Sequence, residues 1–113
     1  MRVPIRLQPL VAEAFAPFGN VISAAGLPDK LINQGLCERF HDRATMDFAD
    51  GRAGISLFKG VPRTLPLKLE MVERHPDGSQ AFLPMSQHPF VVVVAPDEGG
   101  KPGRPLAFLT QVG

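Results

Sequence analysis

The chain has 113 residues, 44% of them hydrophobic and 20% charged, with a formal net charge of +1. This length suits one domain with a modest core, which we place at residues 1–113, and the near-neutral charge argues against nucleic acid or an anionic membrane as a partner. One cysteine, Cys37, leaves no internal disulfide, and no apolar run is long enough for a signal peptide or a membrane span. We therefore expect a cytoplasmic protein.

Twelve prolines and eleven glycines divide the chain into short pieces, which is typical of many short strands joined by turns. The first strand is predicted at Val3–Leu7. A short helix follows within Val11–Gly19, where Pro17 and Gly19 end it. Ala24–Asp29 is predicted to be a loop.

The segment Asn33–Asp42 has alternating side chains. On an extended chain this alternation places Arg39 and His41 on one face and Phe40 on the other. The pattern leaves open which face is the inner one.

The later part of the chain predicts further strands at the spacing of sandwiches and barrels. The apolar run of four valines, Val91–Val94, should be a central strand covered on both faces or should lie in a subunit contact. Asp97–Pro105 is predicted to be a polar loop. The predicted strands are Ile55–Phe58, Leu67–His75, Gln80–Leu83, Phe90–Ala95 and Leu106–Leu109.

The strand predicted at Leu67–His75 carries the main candidate site. Its alternation places Glu73 and His75 on the apolar face, where an ionisable pair is costly to bury unless partners satisfy it. The following Pro76-Asp77-Gly78 turn should fold Gln80 back opposite them. We expect the three side chains to converge in the interior; the alternative is a strand end that opens into solvent.

Other chemistry is poorly supported by the sequence. Glu73, His75 and Gln80 could hold a divalent ion, although their spacing forms no sharp metal signature. His88 is interpreted as a solvated loop residue. There is no phosphate-binding glycine loop, nucleophile elbow or HExxH helix, which argues against phosphoryl and hydride transfer.

Several segments, in chain order, resemble the ureidoglycolate lyase family. The stretch from Glu73 to Pro84 is the most specific of them. The resembling segments are Ala12–Gly19, Ile32–Gly35, Arg39–His41, Glu73–Pro76, Gly78–Pro84 and Phe90–Ala95.

The resemblance implies a mostly β, cupin-like barrel of the jelly-roll type with a short N-terminal helix, which assembles as a homodimer. It also implies the splitting of ureidoglycolate into glyoxylate and urea in allantoin breakdown, with a divalent metal, nickel in some accounts, as cofactor. The family continues beyond the position of Gly113 with a segment that contains tryptophan, tyrosine and histidine. We therefore expect this chain to lack the last strands of the barrel.

Site roles can be assigned under this resemblance. Glu73 and His75 match the base and the acid that the elimination needs, and Arg39 matches a cation for the substrate carboxylate. Gln80 could bind the urea group, and Asn33 and His41 would line the site by resemblance only. The alternative function is a non-catalytic cupin-like module that binds a small carboxylate or serves as a dimerisation domain.

Overall fold

A computed structural model describes residues 4–111 of the chain. The chain forms two compact units: unit 1 is made of Met1–Thr45 and Leu83–Gly113, and unit 2 of Met46–Phe82. A single domain over residues 1–113 stays a prediction. Among the described residues, no helix has the length and apolar character that crossing a membrane requires.

Unit 1 is built around a three-stranded sheet. Its strands are β1 (Leu7–Pro9), β4 (Val91–Val94) and β7 (Leu106–Leu109), and β7 is the middle strand. β1 runs parallel to β7, whereas β4 runs antiparallel to it. Thr110 extends the β4–β7 ladder: its main-chain N–H donates to the carbonyl oxygen of Phe90 at 3.0 Å. In return, the Phe90 N–H donates to the Thr110 hydroxyl at 2.9 Å.

The core of unit 1 lies on β7. Phe108 is fully buried and Ala107 is nearly so. The helix α1 (Ala12–Phe15) and the turn after it bring two further rings onto Phe108. The ring of Phe15 lies edge-on to that of Phe108, with 5.3 Å between centroids, and the ring of Phe18 lies at 6.4 Å. This aromatic cluster holds the helix against the sheet.

Two hairpins complete unit 1. β2 (Lys30–Ile32) and β3 (Cys37–Arg39) pair antiparallel, and their turn places Asn33 in the left-handed region at φ 53°, a conformation that asparagine tolerates better than most residues. β5 (Asp97–Glu98) and β6 (Lys101–Pro102) form the second hairpin. Gly99 and Gly100, at φ 64° and 86°, supply its turn.

Several predicted elements are confirmed. β7 has the predicted bounds, β4 lies within the predicted strand, and α1 lies within the predicted helical segment. The first strand lies later than predicted: Val3 is outside the described residues, residues 4–6 are not in a strand, and β1 overlaps the predicted range Val3–Leu7 only at Leu7. The mostly β class is confirmed, whereas the strands of the described part of the chain form open sheets with no closed barrel.

Other predictions of strand placement are wrong. β4 is an edge strand of the described sheet, with Val91 exposed, because β7 takes the middle position between β1 and β4. The alternative that Val91–Val94 lies in a subunit contact stays a prediction. The polar segment within Asp97–Pro105 is also not a plain loop, since the paired glycines let it close into the β5–β6 hairpin.

Unit 2 has little regular structure. The predicted strands Ile55–Phe58, Leu67–His75 and Gln80–Leu83 do not form, and all residues of these segments are exposed. A period-2 pattern becomes a strand only when a neighbouring chain accepts and donates main-chain hydrogen bonds. Such pairing is confined in unit 2 to one bridge, between Phe48 and Gly78, among the described residues.

Candidate functional site

Unit 2 brings Glu73 and His75 into contact. Nε2 of His75 lies 3.3 Å from Oε2 of Glu73. The two side chains are 66% and 48% exposed for Glu73 and His75 respectively. Their proximity was predicted and is confirmed, but the prediction that they lie in the interior is wrong, because no partner strand covers the segment that carries them.

The turn after His75 forms, although it does not close the predicted hairpin. Pro76 and Asp77 occupy the turn, and the residues after it pair with an earlier segment instead. The Ser79 N–H donates to the carbonyl oxygen of Asp47 at 2.7 Å, and the Asp47 N–H donates to the Ser79 hydroxyl at 2.9 Å. Ser79 is therefore hydrogen-bonded to Asp47, and the next residue, Gln80, is exposed rather than buried in an interior as predicted.

Gly78 lies where these two segments approach each other closely. A side chain at this position would place its Cβ 3.0 Å from Cδ1 of Phe48 and 3.3 Å from the carbonyl oxygen of Asp47. Both distances are shorter than ordinary van der Waals contact. The segments line an open groove formed by Asp47, Phe48, Ala49, Pro76, Asp77, Gly78 and Ser79.

The described residues do not form a complete metal centre. Between residues 4 and 111 there is no group of three or more His, Cys, Asp and Glu side chains placed to hold a metal ion. Glu73 and His75 supply two donors, and an exposed Gln80 is the third donor that was predicted. Protein metal sites of the zinc or nickel type use three or four such ligands, so this donor set does not by itself fit a metal.

Unit 1 contains the other predicted pair. Nη2 of Arg39 lies 2.7 Å from Nδ1 of His41, and both residues are exposed. Phe40, between them, is half-buried, whereas Arg39 and His41 are exposed to solvent. Asn33 lies in the β2–β3 turn and is exposed.

Asp29 organises this region, and the sequence analysis missed its role. Its Oδ2 accepts a hydrogen bond from the main-chain N–H of His41 at 2.8 Å and another from Nη2 of Arg43 at 2.9 Å. Its own N–H donates to the carbonyl oxygen of Arg39 at 2.9 Å. We call Asp29, Arg39, His41 and Arg43 the Asp29 cluster.

The electrostatics of the Asp29 cluster follow from these contacts. The hydrogen bond from the His41 main chain is the main cause that lowers the pKa of Asp29 below its ordinary value of 3.8, and the charge of Arg43 adds to it. Arg43 also lies over the ring of Phe40, with its Cζ 5.3 Å from the centroid. Asp29 precedes His41 by 12 positions and Arg43 by 14 positions. A local sequence pattern therefore could not predict these contacts.

Comparison with known proteins identifies the family. Residues 2–113 match the family model described as ureidoglycolate lyase. The chain is 60% identical over 110 residues to a ureidoglycolate lyase of Rhodobacter capsulatus, and this alignment covers 96% of this chain and 68% of that protein. It is 50% identical over 113 residues to ureidoglycolate lyase 2 of Rhizobium meliloti, and that alignment covers 98% of this chain and 69% of the relative.

A third relative, the ureidoglycolate lyase of Chelativorans sp., is 50% identical over 108 residues, with 94% of this chain and 66% of that protein covered. The chain thus spans about two thirds of the length of these relatives. A match over nearly all of its residues, at this level of identity, places it without ambiguity: the chain belongs to the ureidoglycolate lyase family.

Proposed function

We propose that this chain acts as a ureidoglycolate lyase, which eliminates urea from ureidoglycolate and gives glyoxylate. Family membership and the names of the relatives support this enzyme function. They favour it over the alternative of a non-catalytic module. The contact between Glu73 and His75 is the structural observation that carries the proposal, because it joins the two kinds of group that the reaction needs.

The elimination requires two proton transfers. A base removes the proton of the carbinol hydroxyl, the oxygen forms a carbonyl with the carbon that bears the carboxylate, and the bond from this carbon to the ureido nitrogen breaks. An acid delivers a proton to that nitrogen, which leaves as urea. One proton is taken and one is given, so the reaction is balanced without a further reactant.

We assign the base to Glu73 and the acid to His75. A carboxylate accepts the hydroxyl proton, and an imidazolium can give its proton to the departing nitrogen. The 3.3 Å separation of Nε2 and Oε2 allows the proton taken by Glu73 to pass to His75 after each turnover. The pair could therefore return to its starting state between catalytic cycles.

We assign substrate binding to residues of matching chemistry. Arg39 carries a guanidinium group that suits the fork-like recognition of a carboxylate. Gln80 can bind the urea group through its amide, and His41 and Asn33 are assigned to substrate binding by family resemblance. All four side chains are exposed in the described structure, so they are accessible to a small polar ligand.

Metal dependence belongs to the proposal through family resemblance alone. Glu73 and His75 would be two ligands of a divalent ion, with Gln80 as a third. Since the described donor set does not by itself fit a metal, we route no step of the reaction through one. Metal analysis of the purified protein, with turnover measured before and after a chelator, tests this part separately.

A cupin-like barrel, a homodimer and a cytoplasmic location complete the proposal. In support of a larger sheet, β4 is an edge strand among the described residues and has one hydrogen-bonded neighbour, β7. An open edge of four valines is prone to pair with another chain or segment. A dimer contact at this edge is the assembly that we propose.

Steady-state release of glyoxylate tests the function. We expect replacement of Glu73 or His75 by alanine to reduce turnover by roughly 100-fold or more, the effect of losing a general acid or base. Lys101→Ala, in the exposed β5–β6 hairpin, is the control and should retain normal turnover. Circular dichroism verifies folding of each variant. Near-normal turnover by both site variants would refute the mechanism, and an inactive wild-type chain would refute the function.

A further inference from the structure

We infer that Asp29 is a positioning residue, which holds the Arg39–His41 pair so that His41 presents a neutral ring with its proton on Nε2. The kinetic part of this inference rests on the proposed function, whereas the part on the ring does not. The case for Asp29 is made by the contacts of the Asp29 cluster.

The hydrogen bond between Arg39 and His41 defines the form of the ring. A guanidinium group has only donors, so the nitrogen that it contacts must be an acceptor. Nδ1 of His41 lies 2.7 Å from Nη2 of Arg39 and therefore carries no proton in this contact. The ring is then neutral, and Nε2–H is its remaining donor.

Asp29 holds the main chain from which both side chains extend. It binds on either side of Phe40: its N–H donates to the carbonyl oxygen of Arg39, and its carboxylate accepts from the N–H of His41. The carboxylate is itself held by Arg43 at 2.9 Å. The first two contacts restrain the backbone at two consecutive peptide groups, and the third holds the carboxylate in place, which limits the positions from which Arg39 can reach His41.

The pair offers donors to a ligand. Arg39 keeps the N–H groups that His41 does not use, and His41 adds Nε2–H. Donors that have no acceptor among residues 4–111 suit an anionic group such as the carboxylate of a small 2-hydroxy acid derivative. A neutral imidazole serves there as a hydrogen-bond donor rather than as a base. Loss of the positioning should weaken substrate binding in ground and transition states alike.

Two variants and a matched control separate positioning from a general effect on folding. Asp29→Ala removes every side-chain contact of the residue. Asp29→Asn keeps an oxygen that can accept the His41 N–H but loses the negative charge opposite Arg43. Asp42→Asn is the control, because Asp42 is exposed, lies in the same segment, and has a positive φ of 49° that asparagine accepts. It makes the same change in charge.

Two measurements are made on the full chain. Long-range ¹H–¹⁵N NMR of the ¹⁵N-labelled protein at about pH 8, where histidine is ordinarily neutral, identifies which ring nitrogen of His41 carries the proton; His41→Gln assigns the signals. Steady-state glyoxylate release gives KM and kcat. In the wild type and in Asp42→Asn we expect the Nε2–H form to dominate.

In Asp29→Ala we expect a mixture of the two neutral ring forms. We also expect KM to rise about tenfold, the fold-change that corresponds to the loss of about one hydrogen bond to a charged group, with kcat little changed. Asp29→Asn should give a smaller change of both kinds. A His41 ring protonated on Nδ1 in the wild type would overturn the inference. It would also be overturned if Asp29→Ala had the same His41 ring form and the same KM as the control Asp42→Asn.

The outcomes also separate this inference from the proposed function. A wild-type chain that releases no glyoxylate defeats the function, while the NMR result still decides whether Asp29 positions the ring. If Asp29→Ala fails to fold, Asp29→Asn takes its place: a ring form and KM identical to those of Asp42→Asn would then overturn the inference.

Discussion

Replacement of Phe108 by alanine should remove a large part of the stability of unit 1. Phe108 has 0% exposure, and the rings of Phe15 and Phe18 contact it with centroids at 5.3 and 6.4 Å. Truncation of a buried phenylalanine costs about 3–5 kcal/mol, which includes the loss of two aromatic contacts of about 0.5–1.5 kcal/mol each. Since domains are stable by about 5–15 kcal/mol, we expect a loss of about a fifth of the unfolding free energy or more.

Urea unfolding followed by far-ultraviolet circular dichroism measures this effect. With a slope of about 2 kcal/mol per molar urea, a loss of about 4 kcal/mol lowers the midpoint by about 2 M. Phe58→Ala is the matched control, because the same atoms are removed from a side chain that is 86% exposed. It should change stability by no more than about 0.5 kcal/mol.

A double-mutant cycle tests the aromatic contact itself. Phe15→Ala and Phe108→Ala remove the two partners of the edge-on pair, and we expect a coupling free energy of about 0.5–1.5 kcal/mol between them. Equal losses in Phe108→Ala and Phe58→Ala would refute the placement of the core on β7. Strict additivity in the cycle would refute the contact between helix α1 and the sheet.

Three further predictions concern function, acid stability and assembly. Arg39→Ala should raise KM for ureidoglycolate with little change in kcat, and a fall in kcat at constant KM would contradict its assignment to carboxylate binding. The pKa of Asp29 in the folded chain lies below its ordinary value of 3.8. The ionised carboxylate therefore stabilises the fold above pH 3.8, and this contribution is lost as the pH falls through the lower, folded-state pKa. A difference in unfolding free energy between wild type and Asp29→Asn that does not change with pH would contradict this prediction. Light scattering should give twice the chain mass, and a monomer would contradict a subunit contact at Val91–Val94.

The strands of unit 1 could be predicted because their residues favour extended structure wherever they lie. Four consecutive valines in β4 and the apolar run of β7 indicate strands from composition alone, and both were found. Their order in the sheet could not be predicted. Whether a strand is central or at an edge depends on which distant segments pair with it, and β1 reaches β7 from the opposite end of the chain.

The segment Leu67–His75 shows the converse. Its alternation is as regular as that of many strands, yet in the described structure its residues are exposed and form no strand. Pro62 and Pro66 precede it and cannot donate main-chain hydrogen bonds. The pattern states which side chains would share a face, but only a neighbouring strand can bury that face.

In both candidate pairs, the two side chains come from residues that are close together in the sequence. Arg39 with His41, and Glu73 with His75, are each two residues apart, and on an extended chain such side chains extend to the same side about 7 Å apart. A long arginine or glutamate side chain closes this distance, as the contacts of 2.7 and 3.3 Å show. These contacts could therefore be predicted from sequence even where the fold around them was not.

A local origin also explains what these pairs lack. An ion pair in water contributes little, because solvent screens the charges and competes for the hydrogen bonds. Glu73 and His75, both about half or more exposed, are in contact without the desolvation that tunes acids and bases for catalysis. Arg39 and His41 differ, because Asp29, which is itself bound by Arg43, contacts their main-chain groups from 10 and 12 positions earlier in the sequence. The local sequence thus determines which side chains come into contact, whereas long-range contacts determine how strongly they are restrained. Because Asp29 makes the long-range contacts to Arg39 and His41, its replacement most directly tests the site in unit 1.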